Sequence, residues 1–206
     1  MTLKRSSVEG TVSAPRYSEA FADAHGDERL HGRYFTYKTD AGLVAGCAIS
    51  VTFTIDRPAK DVWPYFKDFS LWQKDHYYSG VVGDLEGKTF SLSDKPNDAE
   101  LPHYYRVIRV IPEHLIVIHQ PIPETDIPGM PGLGGISPGF GVFILNEYDG
   151  KTAITILMEH SSYASRTQDM SEEDALAPWR EIMSDAQMKL RDLFIPDLKQ
   201  LVYEGR

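Results

Sequence analysis

The chain has 206 residues, 42% hydrophobic and 25% charged, a composition typical of one or two globular domains that excludes a chain disordered throughout. Its 21 Lys and Arg against 30 Asp and Glu give a net charge of −9, which argues against nucleic acid or an anionic membrane as the main partner. The single cysteine, Cys47, excludes an intramolecular disulfide and a C-x-x-C site. The sequence shows neither an apolar run long enough for a membrane span nor a signal peptide, so we expect a cytoplasmic protein.

The N-terminal part of the chain differs from the rest. Residues 1–42 are polar and lack sustained periodicity, and we interpret them as a partly ordered N-terminal extension. Within the extension, residues 17–24 could form a short helix. Residues 34–37 alternate loosely and could add a strand or pack on the domain edge. A ligand-binding domain is then expected over residues 43–206.

The predicted domain opens with a strand and two short helices. Apolar side chains alternate strictly over residues 49–55, which predicts a strand with one buried face. Pro58 suits the first position of a short helix that reaches Phe66. A second short helix is predicted around Trp72, with Asp68 or Ser70 as its cap.

Three hairpins follow. The predicted strands are residues 77–83 and 88–93, 104–111 and 115–119, and 140–148 and 152–160. The Asp149-Gly150 pair gives the clearest turn, because a tight turn needs positive φ. Residues 120–139 are rich in Pro and Gly, and we predict a lid over the cavity mouth or an oligomer contact there.

The chain is predicted to end in a long amphipathic helix. Ser171 and Asp174 have the spacing of a capping box, Pro178 is expected to mark the start of the main helix, and Pro196 a kink or late break. Apolar residues recur at steps of three and four, which predicts a buried stripe. Its members are Trp179, Met183, Ala186, Leu190 and Phe194.

The stretch from Ile49 to Trp72 resembles a known family. After the alternating strand it reads Pro-Ala-Lys-Asp-Val-Trp (58–63) and Asp-Phe-Ser-Leu-Trp (68–72). This pattern is similar to the opening of the SRPBCC superfamily (START / Bet v 1-like, polyketide cyclase/dehydrase-like). The resemblance implies an α+β helix-grip fold, in which a curved antiparallel sheet wraps around the long C-terminal helix. It implies no catalytic residue, because the superfamily shares no catalytic motif.

Acid–base candidates come from residues expected on the helix side of the sheet. His119 follows Leu115 and Val117 at period two, and His160 follows Ile154, Ile156 and Met158 in the same way. Two imidazoles converging on one cavity would suit proton transfer. Arg106 and Tyr104 share a strand and complete the candidate catalytic set, and an inward Arg106 would need a carboxylate or a ligand anion. Alternatively, the histidines are satisfied by water and the arginine faces solvent.

The candidate ligand-binding residues are large apolar or amphipathic side chains expected near the cavity. They are Trp72, Tyr78, Phe140, Trp179 and Met183. No metal site is predicted, because the histidines lack ligand spacing. No cofactor is predicted, since residues 132–135 lack the order of a dinucleotide-binding loop.

These features predict a protein that binds a small hydrophobic, aromatic or polyketide-like molecule in an internal cavity. If it is an enzyme, the expected chemistry is a lyase-type cyclisation or dehydration by general acid–base catalysis. The alternatives are a non-catalytic carrier or sensor, or a stress-response module. An enzyme's cavity would hold two or more ionisable groups, whereas a carrier's would be apolar. Whether the protein forms a homodimer stays open.

Overall fold

A computed structural model describes residues 16–40, 42–68, 77–78, 86–87, 89–93, 103–119, 137–165 and 170–205. The strands are β1 Arg16–His25, β2 Glu28–Thr39, β3 Gly42–Ile55, β4 Tyr77–Tyr78, β5 Thr89–Ser93, β6 His103–Ile111, β7 Leu115–His119, β8 Ser137–Tyr148 and β9 Lys151–Ser165. The helices are α1 Ala59–Phe66, α2 Glu172–Lys189, a π-helical segment Leu190–Phe194, and α3 Ile195–Glu204. None of these helices is long and apolar enough to cross a membrane.

The described strands form one antiparallel sheet in the order β1-β2-β3-β9-β8-β7-β6-β5-β4. The hairpins predicted after residue 103 are confirmed. The turn at Asp149 and Gly150 has φ of 49° and 74°, as a two-residue turn between paired strands requires. Residues 120–136 of the predicted lid and the predicted helix around Trp72 lie outside the described residues.

The N-terminal residues extend the sheet. The short helix predicted for residues 17–24 is wrong, because these residues form β1 and pair with β2 on either side of a turn at Gly26. β2 pairs in turn with β3 from Arg29 to Thr39, so the sheet is continuous across residue 42. Pairing along a neighbouring strand satisfies the backbone hydrogen bonds of this polar segment and overrides its weak local preference for helix.

Two hydrophobic clusters fill the space between the sheet and the helices. The first core cluster lies under α1, the π-helical segment and α3, and includes Phe53, Phe66 and Phe194. The second core cluster lies under α2 and includes Leu30 and Tyr34 of β2. The N-terminal hairpin therefore supplies part of the core that α2 covers.

The C-terminal helix starts where Ser171 caps it. The backbone N–H of Asp174 donates to the Ser171 hydroxyl at 3.0 Å, and that hydroxyl donates to the Asp174 carboxylate at 2.6 Å. The predicted start at Pro178 is wrong, because this cap and the burial of Leu176 stabilise the turn before the proline. The helix becomes π-helical up to Phe194, and α3 begins at Ile195, next to Pro196. The predicted kink or late break at Pro196 itself stays a prediction.

The predicted stripe on this helix is confirmed for three residues. Trp179, Met183 and Phe194 are buried. Leu190 is partly buried and packs against both core clusters. The side chain of Ala186 lies outside the described set.

Candidate functional site

A narrow cleft opens where the π-helical segment crosses β2 and β3. Its volume is about 20 Å³, room for a single water molecule. The sheet contributes Glu28, Leu30 and Val51, and the helix contributes Gln187, Leu190, Arg191 and Ile195. We call this feature the helix cleft. Because Leu190 packs against both core clusters, the cleft lies at their junction.

Charged groups anchor the cleft at the turn between β1 and β2. The Lys199 ammonium of α3 lies 3.2 Å from the Asp27 carboxylate and 3.7 Å from that of Glu28. Asp27 also accepts a hydrogen bond from the backbone N–H of Thr54 at 2.9 Å. Burial alone would raise the pKa of Asp27, but the bonds from Thr54 and Lys199 outweigh it and lower this pKa. These charges fix α3 to the hairpin.

His160 lies on the helix side of the sheet. It continues the alternation of Ile154 and Ile156, which are both buried in the first core cluster. It also pairs directly with Cys47 of β3, and directly opposed residues in an antiparallel pair project from the same face. Cys47 packs in the second core cluster with Trp179 and Met183. The inward position of His160 agrees with the sequence analysis, and its catalytic role stays a prediction.

The Cys47 thiol is expected to be unreactive in the folded protein. Burial first, and the nearby Glu159 second, raise its pKa to about 12. At about pH 8 only about one thiol in ten thousand would be ionised, and the thiolate is the reactive form. Labelling with a thiol reagent should therefore be slow in buffer and fast in urea. Equal rates in both conditions would contradict the buried position of Cys47.

His119 lies on the opposite side. The inner face of β7 is formed by Ile116 and Ile118, which are buried, so Leu115, Val117 and His119 face away from the helix. The prediction that His119 points inward is therefore wrong. Every residue of β7 before His119 is apolar, so alternation alone does not fix which face is buried.

Arg106 is exposed on the same outer face, paired with His119. The register of β6 shifts between Val107 and Arg109, a β-bulge that places both Ile108 and Arg109 outward. Arg106 therefore does not share a face with the buried Val110, and its predicted inward position is wrong. The side chain of Tyr104 lies outside the described set.

The bulge is held by the turn before β5. The Glu86 carboxylate accepts hydrogen bonds from the backbone N–H of Val110 and from the guanidinium of Arg109, each at 2.9 Å. The first of these bonds is the largest cause of the lowered pKa of Glu86. The N–H of Gly87 donates to the carbonyl of Val107 at 2.9 Å. Backbone groups freed by the bulge are thus satisfied.

The predicted ligand-binding residues do not converge. Phe140 is 40% exposed on the outer face, opposite His119, so its predicted inward position is wrong. Trp179 and Met183 are buried in the second core cluster and do not line the helix cleft. The side chains of Trp72 and Tyr78 lie outside the described residues.

The sequence predicts Leu190 and Val51 as buried residues, but it does not indicate that they line a cleft with Leu30 of β2. Leu30 alternates with the buried Tyr34 in β2, a period-two signal that the polar residues around it obscure. Pro196 is a sequence signal for the π-helical segment, because proline lacks the backbone N–H that a regular helix requires. Among the described residues, no group of three His, Cys, Asp or Glu side chains is placed to hold a metal ion.

No protein-family model and no curated protein matches the chain. Among solved structures, a truncated norcoclaurine synthase from Thalictrum flavum is 12% identical, covers 79% of this chain and 97% of its own, and gives a TM-score of 0.50. A point mutant of the same synthase, in complex with a transition state analogue, gives 14% identity, the same coverage and a TM-score of 0.50. At such identities the likeness shows the fold. It confirms the predicted helix-grip fold and agrees with the sequence resemblance that implied this fold.

Proposed function

We propose that the protein binds a small hydrophobic molecule between the sheet and the C-terminal helix, at the helix cleft. The observation that carries this proposal is the π-helical segment at the junction of the two core clusters. Segments of this kind occur frequently at functional sites, because they leave the regular hydrogen-bond pattern of the helix. Four of the seven lining residues are apolar: Leu30, Val51, Leu190 and Ile195.

Binding at this position requires the helix to move. A volume of about 20 Å³ holds one water molecule, whereas an aromatic ligand needs a site of about 300 Å³ or more. Leu190 joins the two clusters, so a shift of the π-helical segment would separate them and enlarge the cleft. A fold neighbour supports a small-molecule role, since one of its structures is a complex with a transition state analogue.

A lyase-type enzyme is the more specific form of this function, and one observation favours it. Of the predicted acid–base residues with described side chains, His160 is on the helix side, whereas His119 and Arg106 are outside. His160 pairs with Cys47 of the second core cluster and does not line the helix cleft, so this form of the function requires a ligand that reaches from the cleft into that cluster. We propose His160 as the group that transfers the proton in a cyclisation or dehydration of such an aromatic or polyketide-like ligand. If the protein is a carrier, neither the unmodified protein nor the His160→Gln variant will turn the ligand over. In an enzyme, this variant would lose turnover and keep binding.

Filling the cleft should weaken ligand binding. We expect Leu190→Trp to weaken the affinity for a neutral fluorescent probe, N-phenyl-1-naphthylamine, by about tenfold or more, because the indole would occupy the space between β2 and the helix. Fluorescence titration measures the affinity, and circular dichroism checks that the variant folds.

The matched control is Leu193→Trp. Leu193 lies in the same π-helical segment but is 52% exposed, away from the cleft. Its variant should bind the probe like the unmodified protein. Equal affinities for both folded variants, or no probe binding by the unmodified protein, would reject the helix cleft as the binding site.

A further inference from the structure

The outer face of the sheet, opposite the helices, carries apolar side chains on four neighbouring strands, with Arg109 and Thr155 among them. Its described side chains are half-buried or exposed, with Ile108, Ile111 and Phe140 exposed. We call this surface the outer apolar face. Its members are Ile108 and Ile111 of β6, Leu115 and Val117 of β7, Phe140, Val142 and Ile144 of β8, and Leu157 of β9.

This surface departs from the usual pattern of an antiparallel sheet. An antiparallel sheet covered by a helix on one side ordinarily presents polar residues on the other. Here β7 and β8 carry apolar residues on both faces: Ile116 and Phe143 inside, Val117 and Val142 outside. From strand spacing and rise, the outer apolar face covers about 300 Å² of sheet, about the size of the largest apolar patch on a typical monomer, and such patches are often functional.

A row of four side chains crosses one end of this surface. Neighbouring strands pair Arg106 with His119, His119 with Phe140, and Phe140 with Glu159. Residues paired in this way project from the same face, so a cation and a carboxylate stand at the two ends of the row. Between them lie the imidazole of His119 and the ring of Phe140.

We propose that the outer apolar face binds a second copy of this chain through a two-fold axis parallel to the strands, between β7 and β8. This axis places β6 of one copy over β9 of the other, so Arg106 meets the partner's Glu159. His119 meets the partner's Phe140 in the same way. Stacked sheets lie about 10 Å apart, a gap that two long charged side chains can span.

The charges of the row favour a second copy of this chain over a different protein as the partner. The row of each copy has a positive end at Arg106 and a negative end at Glu159, while Arg109 is already paired with Glu86 of its own chain, so the row is complementary to itself under the two-fold rotation. Burial within the single chain raises the pKa of the Glu159 carboxyl, and its neighbour in the row, Phe140, is uncharged. The guanidinium of the partner's Arg106 would favour the ionised carboxylate.

The size of the surface sets the expected strength. Stable interfaces bury about 800 Å² on each partner, and the outer apolar face is smaller even with its polar rim. We therefore expect a reversible dimer with a dissociation constant in the micromolar range, independent of ligand binding at the helix cleft.

Sedimentation equilibrium of the full chain over a range of concentrations tests the proposal. We expect a dimer for the unmodified protein and a loss of affinity of about a hundredfold in Val142→Lys, because this lysine would lie at the centre of the interface. Leu193→Lys is the matched control. It adds the same charge at an exposed leucine of the π-helical segment and should leave the dissociation constant unchanged.

A charge exchange tests the axis itself. Arg106→Glu and Glu159→Arg should each weaken the dimer by about tenfold, and the double variant should recover most of this loss. Thermal melting confirms that each variant folds. A monomer at every concentration, a dimer that Val142→Lys leaves intact, or a double variant weaker than either single one would overturn the proposed interface.

Discussion

Gly46→Ala is expected to destabilise the protein by about 3 kcal/mol or more, the upper range for steric overpacking. A Cβ at this position would overlap the carbonyl oxygen of His160 and lie 2.5 Å from the Cβ of Ser161. It would also lie 2.7 Å from the ring of Phe35. The first two groups belong to the backbone of β9 or adjoin it, so relief requires β3 and β9 to separate.

Gly141→Ala is the matched control on the neighbouring strand β8. Its Cβ would approach the side-chain Cγ1 of Ile118 at 2.9 Å and the ring of Phe143 at 3.0 Å. A side chain can rotate away, so this variant should lose less stability than Gly46→Ala. Urea unfolding measures both free energies. An equal loss in the two variants would show that the β3–β9 spacing is not the cause.

The order of strands and helices could be predicted because each element carries its own local signal. Residues 49–55 alternate, and the structure gives β3 with Phe53 and Ile55 fully buried. Asp149 and Gly150 form the predicted turn, and Ser171 forms the predicted cap. These signals depend on backbone conformation and side-chain period, which short stretches of sequence determine.

The side of the sheet from which each candidate site residue projects could not be predicted in the same way. A strand that is apolar on both faces, such as β7, carries no information on which face meets the helix, so alternation cannot decide on which side His119 lies. In β6 the bulge at Ile108 changes the alternation, and the carboxylate that holds the bulge, Glu86, is 24 residues away from Val110. Long-range contacts of this kind have no local signal.

The helix cleft depends on an even longer contact. It exists because β2 adds to the edge of β3 and places Leu30 beside Leu190 of the C-terminal helix. Polar residues surround Leu30 in the sequence, so its segment was interpreted as an extension. The pairing partner of β2, rather than its own composition, makes it part of the core.

Phe53→Ala is expected to cost about 3 to 5 kcal/mol of unfolding free energy, because it empties the middle of the first core cluster. Phe53 is fully buried, and its ring meets that of Phe194 edge-on, with centroids 6.3 Å apart and planes at 87°. The Lys199 ammonium lies 5.8 Å from the same ring. The variant therefore loses contacts that join the sheet to the π-helical segment and to α3.

Urea unfolding again gives the measurement, and two further variants interpret it. Leu193→Ala removes an exposed side chain next to Phe194 and should cost less than about 0.5 kcal/mol. Phe194→Ala combined with Phe53→Ala should cost less than the sum of the two single changes, because both remove the same ring contact. Additive losses, or a loss below about 1.5 kcal/mol in Phe53→Ala, would contradict the packing of the C-terminal helix on β3 and with it the enclosed space that ligand binding requires.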